Sequence, residues 1–211
     1  MKLLVLLMIL LFTGGDCHAQ NWDIDLLRAI HSNRDRSLDG FFRAVTDYAA
    51  PLAYTIPFFL WFYGLITRYK KLQIKSGYII FATFLAYLVT TTTKHVVGRP
   101  RPYITYPFIQ KMTSSGTLSF PSGHTSDAFT LAIALSLAFP RWFVILPAFS
   151  WASAVGYSRM SLGVHYPSDV LAAVIVAGLV SLFCFSLLKR REKRALLSQK
   201  DLINKEPSST T

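Results

Sequence analysis

Five apolar stretches dominate this chain, at about Tyr48–Ile66, Gly77–Val97, Thr125–Phe139, Phe143–Tyr157 and Val170–Leu188. A spanning helix needs about 20 apolar residues, so two of the five reach that length only with their flanks. In lipid a backbone must close its own hydrogen bonds, which a helix does within one segment. The pattern therefore predicts an all-α, integral membrane helical bundle with about five spans in the mature chain. Composition agrees: 52% of the 211 residues are hydrophobic and 16% are charged, where soluble domains carry about a quarter charged residues. The hydrophobicity excludes intrinsic disorder. Two cysteines, Cys17 and Cys184, are too few for a disulfide framework, and their placement in a leader and a span makes a pair between them implausible.

The N-terminus has Lys2, an apolar run from Leu3 to Phe12 and a small residue, Ala19, at a plausible cleavage point. That is the pattern of a signal peptide over residues 1–19; if it is retained as a short first anchor, the spans number six. Either way the following segment starts outside the cytoplasm. Residues 20–47 mix charges with apolar residues near helical spacing (Ile24, Leu27, Ile30, then Leu38, Phe41, Phe42, Val45). They read as interfacial amphipathic helices broken near Ser32 and Asn33, with a packing role and no chemistry. Residues 48–188 form the membrane core, and residues 189–211 a basic polar tail expected to fray.

The chain has 22 Lys and Arg against 11 Asp and Glu, a formal charge of +11. A basic excess can mark a nucleic-acid binder, but here the charges sort by membrane side. Arg68, Lys70, Lys71 and Lys75 share one loop, Arg141 lies in a tight turn, and Lys189, Arg190, Arg191, Lys193 and Arg194 follow the last span. With five spans and an external start, all three positions are cytoplasmic, as the positive-inside rule requires. One outward loop breaks that rule. Lys94, His95, Arg99, Arg101 and Lys111 stand there without a carboxylate, and an anion is the natural reason.

Three blocks hold nearly all the polar residues at the outward ends: Lys94 to Pro102, Pro121 to His124, and Ser158 to Asp169. Two arginines and a lysine can saturate the oxygens of a phosphate, Arg as a bidentate fork and Lys as a point charge. Gly123 lets the backbone approach an anion, and the helix that follows offers free N–H groups and its positive dipole end. His124 and His165 remain for the reaction, one as nucleophile and one as proton donor. Asp169 lies four residues after His165, so on a helical turn it can hold one ring nitrogen protonated and present the other. The outward loops contain no Asp/Glu cluster for magnesium and no Cys/His spacing for zinc, which predicts chemistry without metal or cofactor.

The pattern Lys-x6-Arg-Pro, Pro-Ser-Gly-His and Ser-Arg-x5-His-x3-Asp, spanning Lys94 to Asp169, resembles that of the type-2 phosphatidic acid phosphatase (lipid phosphate phosphatase) superfamily. That superfamily includes soluble bacterial acid phosphatases and vanadium haloperoxidases. All three blocks match at every motif position. The resemblance implies an all-α core with its site at the outer helix ends. It further implies that Lys94, Arg101 and Arg159 hold the phosphate together with the backbone around Ser122 and Gly123. His165 would attack phosphorus to give a phosphohistidine, oriented by Asp169. His124 would protonate the leaving oxygen and then activate water. Arg99, outside the motif, is expected to be a secondary electrostatic contact. Membrane members commonly have six spans, one more than expected for the mature chain here.

The expected activity is a metal-independent phosphatase of a bacterial cytoplasmic membrane, with its site facing the periplasm. Its substrate would be a membrane lipid phosphate or diphosphate, such as undecaprenyl diphosphate, phosphatidylglycerophosphate or lipid A 1-phosphate. The same residues would serve a phosphotransferase. A haloperoxidase would need vanadate, and a lipid-binding or transport protein would need only the cations. Neither nucleic acid nor a particular oligomeric state is implied. Among other polar residues, His95 reads as interfacial, Asp127 as a complement to the dipole of the helix after His124, and Thr90 to Thr93 as back-bonding to their own helix. Trp61, Trp142 and Trp151 read as belt or packing residues.

Overall fold

The computed structural model describes residues 18–205, with side chains from 22 to 198. The expected signal peptide falls mostly outside this range. The elements are α1 (His18–Ser32), a 3-10 turn (Arg36–Leu38), α2 (Asp39–Asp47), α3 (Ala49–Ile66), α4 (Lys70–Val97), α5 (Pro102–Thr105), α6 (Gly123–Ala138), α7 (Trp142–Ser161) and α8 (Pro167–Lys205). All are helical, and the five predicted apolar stretches lie on α3, α4, α6, α7 and α8. Of these, α3, α4 and the part of α8 from Pro167 to Ser198 are long and apolar enough to cross a membrane. The chain is a multi-pass helical membrane protein.

Helix α6 sits at the centre, packed against α3, α4, α7 and α8. Its neighbours come close because the contact faces carry small residues. Ala53, Ala82, Ala86, Ala134 and Ala138 meet Ile79, Val89, Leu131 and Val176 in one cluster, and Ala49, Ala128, Ala132 and Ala152 meet Val155 in another. The large apolar side chains point outward: Phe58, Phe59, Phe62, Phe81, Phe84, Leu182 and Phe183 are exposed, as lipid-facing residues should be.

Helices α1 and α2 pack at the bundle end that carries Arg99 and Arg159 and contact α7 and, for α1, α8. The break falls at Asn33–Asp35, where the Asp35 carboxylate takes the Ser37 N–H at 2.9 Å. The sequence reading missed two boundaries. Helix α4 starts at Lys70, so Lys70, Lys71 and Lys75 project from its first turns rather than from a loop. Helix α8 continues to Lys205 instead of fraying after Lys189. The tail is rich in Lys, Arg, Glu, Leu and Gln, strong helix formers with no Gly or Pro before Pro207.

Candidate active site

Local chain chemistry places each site residue. Lys94 lies in the last turn of α4, which Gly98 closes with a left-handed φ of 63° while its N–H bonds the Lys94 carbonyl. Pro100 and Pro102 then keep Arg99 and Arg101 out of helical conformation; Arg101 is extended, with ψ 154°. Ser122 caps α6, so His124 sits in the first turn. After α7, Gly163 turns the chain with φ 73°. A Cβ there would collide with the Gln110 carbonyl oxygen. The turn delivers His165 and, at the start of α8, Asp169.

His165 and Asp169 are both buried. His165 Nδ1 donates to Asp169 Oδ2 at 3.2 Å. The same oxygen takes the Tyr166 N–H at 2.9 Å and the Ser119 hydroxyl. Asp169 Oδ1 takes Arg99 Nη1 at 2.9 Å. The far ring nitrogen, His165 Nε2, accepts from Arg101 Nη1 at 3.0 Å. Asp169 thus fixes the tautomer with Nδ1 protonated and the Nε2 lone pair turned toward the cations. Burial, reinforced by Arg101, Arg159 and Lys94, pushes the His165 pKa well below its ordinary value. The imidazole is therefore neutral at physiological pH.

Around Nε2 stand three cations. Lys94 Nζ donates to the Pro121 carbonyl at 2.8 Å. Arg101 Nη1 also reaches the Val164 carbonyl at 2.8 Å. Arg159, only 1% exposed, gives Nη1 to Thr46 Oγ1 at 2.7 Å. Arg159 Nε and Nη2 and Arg101 Nε are buried without a hydrogen-bond partner among the described residues. His124 lies within electrostatic reach of Arg159, Arg101 and Lys94. Buried guanidinium donors left unpaired are costly, and a tetrahedral oxyanion has the charge and acceptors to satisfy them. All eight expected site residues therefore gather at one end of the bundle.

Some details depart from the sequence reading. The Ser122 N–H is engaged by the Asp169 carbonyl at 3.1 Å, so the backbone donors left for an anion begin at Gly123. Arg99 is more than a secondary contact: besides Asp169 it grips Asp23 of α1 at 2.8 Å and lies 3.8 Å over the Tyr166 ring. Asp23 also takes the Ser168 N–H at 2.9 Å and its hydroxyl at 2.5 Å. His31 donates Nδ1 to the Ser161 carbonyl at 2.8 Å and accepts the Gln110 N–H at Nε2. Residues 20–47, read as packing without chemistry, thus reach the site through Asp23 and Thr46. Asp127 stands past the first turn of α6, buried and hydrogen-bonded to Tyr54, so it does not serve the helix dipole. Thr90 shares a hydrogen bond with Ser126 at 2.9 Å rather than with its own helix. The mixed charges of α1 and α2 were visible in the sequence, but their partners 76 and 145 residues away were not.

Comparison with known proteins bears on the family and the fold. The family model described as the PAP2 superfamily matches residues 75–193. The undecaprenyl-diphosphatase BcrC of Bacillus subtilis (strain 168) is 29% identical over 164 residues, covering 76% of this chain and 81% of that protein. The crystal structure of Aquifex aeolicus LpxE superposes with a TM-score of 0.66 at 26% identity, over 78% of this chain and 95% of that one. A transmembrane PAP2-type phosphatidylglycerolphosphate phosphatase from Bacillus subtilis gives a TM-score of 0.65 over 92% of this chain and 94% of the other. At 23% identity that likeness speaks for the fold alone.

Proposed function

The chain belongs to the PAP2 superfamily and is a phosphatase of that family, and on that premise we propose that it removes phosphate from a membrane lipid phosphate or diphosphate through a phosphohistidine on His165. Lys94, Arg101, Arg159 and the N–H groups from Gly123 onward bind the phosphoryl oxygens. The His165 Nε2 lone pair forms a bond to phosphorus while the bond from phosphorus to the lipid oxygen breaks. Burial and the nearby Arg159, Arg101 and Lys94 push the His124 pKa down to about 3 in the ligand-free chain. His124 therefore takes up its proton together with the phosphate, whose negative charge offsets those cations, and gives it to that leaving oxygen. Asp169 keeps Nδ1 protonated and balances the positive charge the ring acquires. In the second half, His124 takes a proton from water, the water oxygen attacks phosphorus, and the phosphorus–nitrogen bond breaks to release phosphate. Arg99 and Asp23 position Asp169 from behind. No step uses a metal.

The observation that carries this reading is the set of unpaired buried donors on Arg101 and Arg159 beside a neutral His165 whose Nε2 faces them. Spans that bring the site to headgroup level favour a lipid over a soluble ester. The similarity to an undecaprenyl-diphosphatase makes a polyprenyl diphosphate the first candidate. Basic residues at the opposite helix ends orient the site toward the periplasm of a bacterial cytoplasmic membrane.

The test is phosphate release from a panel of lipid phosphates in EDTA, including undecaprenyl diphosphate, phosphatidylglycerophosphate and lipid A 1-phosphate. Wild type should act on at least one, and His165→Ala should not. Inactivity on every lipid, full activity of His165→Ala, or a requirement for Mg2+ would contradict the proposal.

A further inference from the structure

Helix α4 carries Lys71 in its first turn and Lys94 in its last, so the two lie about 35 Å apart along the axis. At the Lys71 end, away from the catalytic histidines, lies a cavity of about 520 Å3. Lys71 and Lys75 enter it from α4, and Arg141 from the turn between α6 and α7; Tyr69, Phe139 and Phe143 supply aromatic wall. Among the described residues no carboxylate lines it, and Glu192 lies within electrostatic reach of Lys75 alongside it. Lys75 Nζ donates to the carbonyl of Ala138, the last residue of α6, and lies 4.7 Å from the centre of the Phe139 ring. The Arg141 guanidinium lies 5.8 Å from the Phe143 ring.

Membrane orientation alone asks only that basic residues be on this side, reaching into water. It does not ask three of them, from two separate segments, to converge on one cavity with apolar walls. We propose that this cavity binds the headgroup of an anionic phospholipid. The phosphodiester would meet Lys71, Lys75 and Arg141, which place ammonium and guanidinium donors around one anion. The glycerol and first acyl carbons would lie along Phe139, Phe143 and Val144. Trp142 and Leu146, in the same opening turns of α7 as Phe143 and Val144, are exposed. The aromatic walls distinguish a lipid from free phosphate, which would use the cations alone. Binding there would tie the start of α4 to the turn between α6 and α7. The inference rests on the chain being embedded in a membrane and is independent of the reaction at the other end.

The test uses the full chain in neutral detergent micelles, titrated with phosphatidylglycerol, phosphatidylcholine or soluble glycerol 3-phosphate, with the thermal unfolding midpoint as readout. Phosphatidylglycerol should raise the midpoint of wild type, and the other two should leave it unchanged. Lys71→Gln/Arg141→Gln should weaken the phosphatidylglycerol effect about thirtyfold in concentration, taking each charge at its ordinary worth near a lipid surface. This variant keeps Lys75, which is hydrogen-bonded to the bundle, and its phosphate-release activity reports that it is folded. Arg141→Gln alone, at an exposed position, provides a milder version. An unchanged titration in the double variant, equal stabilisation by phosphatidylcholine, or full stabilisation by glycerol 3-phosphate would each overturn the proposal. Because hydrolysis is measured separately, failure here leaves the proposed phosphatase mechanism standing.

Discussion

Both ends of the bundle gather cations, but they hold them differently. At the His165 end Arg101 and Arg159 are buried, fixed by Val164, His165 and Thr46, with donors left over among the described residues. At the opposite end Lys71 and Arg141 are exposed, and Lys189 pairs with the exposed Glu192 at 3.0 Å. Charge that is desolvated and preorganised can stabilise a reacting anion strongly, because the protein does not have to reorganise as charge develops. Charge that remains hydrated orients the chain and attracts lipid weakly per residue. The same residue types, lysine and arginine, therefore carry unequal chemistry at the two ends.

The largest expected effect lies at the buried end. His165→Ala should lower phosphate release by a thousandfold or more, about the loss seen when a covalent nucleophile is removed. Arg159→Gln should cost about a hundredfold to a thousandfold in kcat, the range for loss of one preorganised donor. Arg141→Gln, the same change at the other end, should leave kcat unaltered. If the two arginine variants lose activity equally, the contrast between the ends fails.

A smaller effect sharpens the contrast within the buried end. Asp23→Asn should lower kcat by about tenfold to a hundredfold, as loss of an outer positioning contact does, with KM little changed. Asp23 touches Arg99 and Ser168 and no phosphate-binding cation. Asp23→Glu should restore part of the rate. A rise in KM without a fall in kcat would show that α1 serves binding rather than alignment of the nucleophile.

The smallest effect concerns pH. The His165 pKa in the folded chain lies well below the ordinary 6.5, so between those values the unfolded chain binds a proton that the native one does not. Stability therefore rises with pH through that window and is lost progressively as pH falls below about 6.5. Thermal unfolding of His165→Gln should show a shallower acid slope than wild type. Identical slopes would mean that His165 is not held neutral by its site.

The chemistry was easier to read in the sequence than its support. Lys94, Arg101, Ser122, Gly123, His124, Arg159, His165 and Asp169 stand in three short blocks whose internal spacing already sets their geometry. Nothing comparable marks Asp23 or Thr46. Their periodicity says that α1 and α2 have an apolar face, but not that polar residues on those helices turn to Arg99 and Arg159. Asp127 was misread for a similar reason: its position near a helix start was visible, and the hydroxyl of Tyr54 on a different span was not. The spans themselves were legible because lipid demands apolar length. Their ends were less so, since Lys70, Lys71 and the tail beyond Lys189 are helix formers that hydropathy assigns to loops.

The central claim is that His165 becomes covalently phosphorylated. Wild-type protein mixed with substrate labelled in the transferred phosphate, quenched within the first turnover and mapped by mass spectrometry, tests it most directly. The expected result is label on His165 that survives alkali and is lost in acid, and no label in His165→Ala. Turnover without any labelled protein at the earliest times, or label on another residue, would contradict it.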